Sequence, residues 1–338
     1  MKFLSLCASF ILFPLSGLAD TQNATIAGII DSHILPRFET LATSTQQLAD
    51  VAQADCDPHS DTLRVTFGTA FDAWVSASHL RFGPTETNDR AFALAFWPDS
   101  RGATPKALTT LLADQDPIAT SVEDYATVSI AARGFYAMEY MLHDDALVAT
   151  GDPGHQCRLV QTISADIAAT SKSILDDWQK TFAAKMQNPS PDGLYRDNEE
   201  VLQEMFKSLS TGLQFTSETR LGRPLGTFDR PRPTRAEFRR SGRSALHVVL
   251  SLTSLHNLAI QLADNNDELR ARLGQSFNRS LLLLSELDDP TFASVAEPQS
   301  RLKIEIIQQS IEDIQSLVRE ELGPTLGVTS GFNSLDGD

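Results

Sequence analysis

Four side chains able to donate to a metal ion share one face of a single predicted helix. Tyr136, Glu139, Tyr140 and His143 fall at i, i+3, i+4 and i+7, a spacing that stacks them along one side. Phenolate and carboxylate oxygens are hard ligands, better suited to ferric iron than to zinc, whose sites favour imidazole and thiolate. The stripe is a candidate iron site. The same spacing also describes two core-edge tyrosines whose hydroxyls find water, with a last-turn histidine complementing the helix dipole. His33, close to Pro36, is a further candidate ligand, set against the commoner hydrogen-bonded structural histidine.

A second concentration is cationic. Arg230, Arg232, Arg235, Arg239, Arg240 and Arg243 crowd into 14 residues of an otherwise acidic chain. Guanidinium binds carboxylate and phosphate bidentately, so Arg235, Arg239, Arg240 and Arg243 form a candidate anion site for an iron chelate or a haem propionate. The alternative is a set of salt bridges to the abundant acids across a domain boundary. Several of these arginines fall at an expected helix start, where cations oppose the dipole. Trp97 and Asp99 read as packing and helix-capping residues. His79, His155, His247 and His256 carry no partner pattern, and the chain holds neither His-Glu-x-x-His nor Gly-x-Ser-x-Gly.

Helices must position these groups, because the apolar residues recur at three and four and no alternating run reads as a strand. Helices are expected over about 24–54, with a kink at Pro36, and over 61–80, 106–113 and 155–186. Thr120 and Glu123 form a capping box that should open a helix ending near Leu142. The Pro- and Gly-containing stretch 189–196 separates this group from helices expected at 197–217, 234–264, 267–287 and 298–322. The fold class is therefore all-α: two tandem bundles of the up-and-down four-helix type, over 20–188 and 197–326, with a tail at 327–338.

Lys2 precedes an apolar run from Phe3 to Leu18, and Gly17-Leu18-Ala19 has small residues where a signal peptidase reads. Residues 1–19 are expected to be a signal peptide cleaved after Ala19, which places the mature chain in the periplasm. No later stretch reads as a membrane span. Cleavage takes the net charge from −16 to about −17, which excludes nucleic acid as a natural partner. Cys56 and Cys157 remain after cleavage, and in an oxidising compartment such a pair is expected to form a disulfide.

Several segments together resemble the imelysin family of iron-regulated exported proteins, which is classified among metallopeptidases. They are His33-Ile34-Leu35-Pro36, Ala73-Trp74 with Leu80-Arg81-Phe82-Gly83-Pro84, and Phe96-Trp97-Pro98-Asp99. Gly134-Phe135-Tyr136-Ala137-Met138-Glu139 and Arg220-Leu221-Gly222-Arg223-Pro224-Leu225-Gly226 complete the set. The resemblance implies two helical bundles with a site in the groove between them. The family motif is Gly-x-His-x-x-Glu; Gly134 and Glu139 match it, while Tyr136 stands in the histidine's place. That departure argues against peptidase activity. The expected function is a non-enzymatic part in iron or haem acquisition, binding iron, an iron chelate, haem or another envelope protein, with association at the outer membrane left open. The alternatives are an imelysin-type metallopeptidase and an envelope scaffold with no metal site.

Overall fold

The computed structural model describes residues 16–328, with side chains from Thr21 onward. Most of the expected signal peptide, and the tail from residue 329 onward, lie outside the described residues. The cleavage point after Ala19 falls within the first helix. Ten helices of ten residues or more are present among the described residues: α1 (Ser16–Ile29), α2 (Leu35–Ala54), α3 (Asp61–Ala77), α4 (Ala103–Asp114), α5 (Gly134–His143), α6 (Pro153–Asp177), α7 (Asn198–Gln214), α8 (Ser244–Leu262), α9 (Asp267–Ser285) and α10 (Pro298–Leu317). The fold is all-α; among the described residues the sole β-like pairing is the isolated bridge Thr227–Arg230.

In the first bundle α2 packs between α3 and α6, and α5 closes against α6. In the second, α8 packs on α7 and α9, while α10 covers α9 and α7. Helices also pack across the boundary. Helix α3 lies on α8, and α1 reaches over to pack on α7 and α8. A single cluster of buried apolar side chains runs from Ile26 to Val328 through both bundles. The halves therefore share one core.

Polar side chains start the helices where spacing allows. Ser60, Asp152, Asp197 and Asn266 each accept from the amide three residues on, satisfying one of the orphan donors of a first turn. Ser121, not Thr120, caps the short helix Val122–Tyr125. That helix ends after one turn, and α5 begins afresh at Gly134. The break has a steric cause. Gly134 has φ +73°, and a Cβ there would lie 2.2 Å from the Leu94 carbonyl oxygen, so only glycine can bring this turn against the segment before it.

Pro36 produces a wide turn instead of a sharp kink. Its ring would strike the carbonyl four residues back, that of Ser32, and residues Ile30–Ile34 open into a π turn that lets α1 continue into α2. The same device recurs at Phe215–Leu221 before Pro224 and at Val318–Leu322 before Pro324.

The helix expected from residue 234 starts ten residues later, at Ser244. One 3-10 turn at Pro233–Arg235 and a bend through Gly242, at φ +73°, precede it. The arginine cluster thus occupies a loop, and no helix start places a positive dipole end against Arg235 or Arg239. Helix α8 bears on the reading of membrane spans. It is long and apolar enough to cross a bilayer by length and composition. Here it is the central helix of the second bundle, with Val248, Leu252, Leu255, Leu258 and Leu262 buried.

Cys56, just past α2, is bonded to Cys157 in the first turns of α6, with the two Cα atoms 5.1 Å apart. The closed loop spans 101 residues, for which the chain-entropy model gives about 4–5 kcal/mol. Reduction, or the double Cys56→Ser and Cys157→Ser change, is expected to lower the urea midpoint accordingly. An identical midpoint with and without reductant would show that the bridge contributes nothing to stability.

Candidate functional site

A buried ion pair lies where the two bundles meet. Arg220, in the π turn that follows α7, donates from Nε to Glu237 Oε2 at 2.8 Å. Its other nitrogens reach Ser251 Oγ at 3.2 Å and Ser78 Oγ at 3.4 Å. Tyr136, from α5 in the first bundle, donates its hydroxyl to Glu237 Oε1 at 2.5 Å. His247 stands 3.5 Å from Glu237 and 3.5 Å from Asp72, farther than an ordinary hydrogen bond. Tyr136, Arg220 and Glu237 are 7, 4 and 3 % exposed.

Burial alone would push the Glu237 carboxyl up. The Arg220 charge, with His247 and the Tyr136 hydroxyl, reverses this and holds it at about 2. Burial and the Glu237 charge push the Tyr136 phenol well above its ordinary value. The group is thus a carboxylate neutralised by one guanidinium, with a phenol that keeps its proton.

The trio lies at one side of a cavity of about 340 Å³. Trp74, Trp97 and Phe215 supply apolar walls, and Arg81, Glu204, Lys207 and Glu218 also line it. The Trp97 ring lies nearly parallel to Tyr136, with centroids 6.1 Å apart. Both rings also border a smaller cavity, of about 140 Å³.

The predicted stripe is divided among several environments. Tyr136, Glu139 and Tyr140 border the smaller cavity, but the Tyr136 hydroxyl is turned to Glu237. Glu139 is buried and accepts from the Ser241 amide and hydroxyl, each at 3.2 Å; burial raises its carboxyl above the usual range, offset in part by Arg240. The Tyr140 ring lies 3.8 Å beneath the Arg240 guanidinium. His143 packs beside Phe67, lowered to about 4 by burial and by Arg64.

In this arrangement the Tyr136 hydroxyl is engaged with Glu237 and Glu237 with Arg220, so either could ligate an ion only by giving up that partner. Among the described residues no three of His, Cys, Asp and Glu come together as a metal site.

The predicted anion residues also part company. Arg240 binds Asp144 at 2.9 Å and Arg243 binds Asp72, both across the bundle boundary. Arg239 donates to the Thr234 carbonyl at 3.1 Å. Arg235 borders the smaller cavity.

His33 has a partner that spacing does not reveal. Its Nε2 lies 2.9 Å from Nε2 of His79, which borders the large cavity. Asn257 Oδ1 accepts from Gln261 at 3.0 Å and faces His33 Nδ1 at 2.7 Å. His33 Nδ1 therefore donates, its Nε2 accepts, and His79 Nε2 must carry the shared proton. The His79 Nδ1 then holds a lone pair. Burial, reinforced by Arg37, lowers His33 to about 3. Burial lowers His79 well below its ordinary value, and His33, Arg37 and Arg220 add to this.

The sequence reading gave no role to Arg220, Glu237, His79 or His247. Only the arginine had a visible signal, standing in the Arg220–Gly226 segment, whose Pro224 forces the π turn.

An all-helical chain of two bundles with a polar cleft between them is the class that fold and site define. The family model for Imelysin matches residues 34–318, and the chain belongs to that family. Iron-regulated protein A of Synechococcus elongatus is 19 % identical over 324 residues, covering 89 % of this chain and 86 % of the relative. The crystal structure of an imelysin-like protein from Psychrobacter arcticum superposes with a TM-score of 0.79 at 21 % identity, covering 93 % of this chain and 98 % of that one. A putative iron-regulated protein A precursor from Parabacteroides distasonis gives 0.76 at 13 % identity, over 89 % and 94 %.

Two predictions follow from the buried charges. Arg220→Ala leaves Glu237 buried and unpaired and is expected to cost about 3–5 kcal/mol. Tyr136→Phe removes one bond to a charged acceptor and should cost about 1.5–3 kcal/mol. Urea unfolding measures both, and equal, small losses would mean that the pair is solvated.

The second concerns acid. The folded values of His33 and His79 lie below 6.5, so the unfolded chain binds protons that the folded chain refuses, and stability falls as pH drops from about 6.5 towards 3. Glu237, ordinarily near 4.5 and held at about 2, adds a loss in the same direction from pH 4.5 downward. Melting temperature from pH 7 to 4 should fall less steeply in His33→Gln than in the parent. Parallel curves would refute the neutral pair.

Proposed function

We propose that this chain is an exported, non-enzymatic binding protein of an iron-related process in the cell envelope. Its ligand is a small organic iron chelate, held in the cavity between the bundles. One observation carries the reading: the Tyr136–Glu237–Arg220 trio is internally neutral and fully engaged, beside a cavity of about 340 Å³ walled by aromatic rings. Such a surface has no open set of lone pairs with which to strip a bare ion. Its volume and mixed lining suit a small molecule instead.

The link to iron is supported by the company the chain keeps, since two of its relatives are named as iron-regulated. Export and a periplasmic location are supported by the apolar run and small residues over 1–19, and by the word precursor in the name of one of those relatives. The cations Arg81, Lys207 and Arg220 among the lining residues stand beside Glu204, Glu218 and Glu237, so the cavity offers both charges to a chelate that carries carboxylates and a metal ion.

Calorimetric titration of the mature protein with ferric citrate, citrate alone, ferric ion held by a weak chelator, zinc and haem tests the proposal, beside Phe215→Ala. Ferric citrate is expected to bind with one site and to weaken about tenfold or more in the variant. Binding of the bare ion alone, unaffected by Phe215→Ala, would overturn the reading. Silence from every ligand would do the same and leave a docking scaffold as the better account.

A further inference from the structure

The smaller cavity is bordered by two arginines that have no acid partner among the described residues. Other part-buried arginines have partners: Arg133 pairs with Asp166 at 2.6 Å, Arg240 with Asp144 at 2.9 Å and Arg301 with Glu305 at 2.7 Å, while Arg37 and Arg64 donate to carbonyl oxygens or a serine. Arg223 and Arg235 both border the smaller cavity. Among the described residues neither makes an ion pair with an acid. Arg223 lies over the Trp97 ring at 5.7 Å, and its Nε is buried with no hydrogen-bond partner. Burial lowers its basicity, and the charge that lowers it further is that of Arg235.

Acids do border the same cavity, but they face other partners. Asp99 accepts from the amides of Arg101, Ala103 and Thr104 at 3.2, 2.9 and 2.8 Å. Glu139 accepts from Ser241, and burial pushes its carboxyl towards the neutral form. Arg223 is half-buried and Arg235 exposed, and their like charges oppose one another across the empty site. In a chain of 44 acidic and 28 basic residues, carboxylates are plentiful, yet among the described residues none pairs with Arg223 or Arg235.

We propose that the smaller cavity is a subsite for one small oxyanion, a carboxylate or a phosphate, gripped between Arg223 and Arg235. Guanidinium presents paired N–H groups that match either anion. Trp97 and Tyr136 border both cavities, so a carboxylate here can belong to a ligand whose body fills the larger one. In that form the inference rests on the reading given under Proposed function. Bound as a free ion, the oxyanion needs no such ligand.

The test is thermal unfolding of the mature protein in chloride, with inorganic phosphate, acetate or citrate added at constant ionic strength, for the parent, Arg223→Gln, Arg235→Gln and Phe215→Ala. A saturable rise in melting temperature is expected for the parent with at least one oxyanion. Each arginine variant should need at least tenfold more anion. In chloride alone each should melt no lower than the parent, because a like-charge contact has gone. Phosphate and citrate acting alike would identify a free oxyanion site, whereas citrate acting alone would identify the carboxylate of an organic ligand. A response that survives both arginine changes overturns the proposal, as does a fall in chloride with the anion response intact, which would make the arginines structural. Phe215→Ala separates the two readings. Loss of ferric citrate binding with the phosphate response kept supports both sites, and a phosphate response without any ferric citrate binding in the parent upholds this subsite while removing the chelate.

Discussion

A buried carboxylate in an all-helical protein needs a compensating charge, and the joint between these bundles is built around meeting that need for Glu237. Desolvation of a lone carboxylate would cost several kcal/mol. Arg220 answers it from one side and Tyr136 from the other, and these two come from different bundles. Ser251 and Ser78, again from opposite halves, each receive one further guanidinium proton. The polar contacts that tie the bundles together are consequently also the contacts that shape the large cavity. Stability and site cannot be separated here, because removing one partner exposes the charge of the other.

Prolines set much of this geometry. Pro224 would collide with the Arg220 carbonyl in a regular helix, and the chain widens into the turn Phe215–Leu221. That turn brings Arg220 to the joint. Pro36 acts in the same way on Ile30–Ile34, the turn that carries His33. Two of the groups at the joint therefore sit in wide turns whose cause lies three or four residues downstream. Such turns recur at functional sites. Here the reason is visible: an extra residue per turn rotates one side chain out of the stripe that the flanking helix would impose.

The fold was largely legible in the sequence because its signals are local. Apolar spacing marks the long helices, and Ser60, Asp152, Asp197 and Asn266 mark their starts. Cys56 and Cys157 needed only the redox argument. The failures were also local in cause. The Thr120–Glu123 pattern looked like the start of a long helix, but the close approach of Gly134 to Leu94 broke it. The arginine-rich stretch looked helical, but Gly242 and Pro233 kept it a loop. The site was less legible. Glu237 lies 101 residues from Tyr136 and His79 lies 46 from His33, and no periodicity links positions that meet only through tertiary packing. Tyr136 was found because it departs from a motif, whereas Glu237 has no motif to depart from.

The exchange of histidine for tyrosine at position 136 then has a definite chemical meaning. A neutral imidazole can offer a lone pair to a metal or a proton to a carboxylate. A phenol held far above its ordinary pKa keeps its proton, and here the hydroxyl donates it to Glu237. A fixed lone pair remains on His79, whose tautomer is set by His33 and Asn257 and whose neutral state is set by burial. A ligand entering the large cavity thus meets aromatic walls, a neutralised ion pair and a histidine that does not take up a proton at ordinary pH. Those features discriminate by shape and hydrogen bonding, with little dependence on pH above the range where His33 and Glu237 titrate.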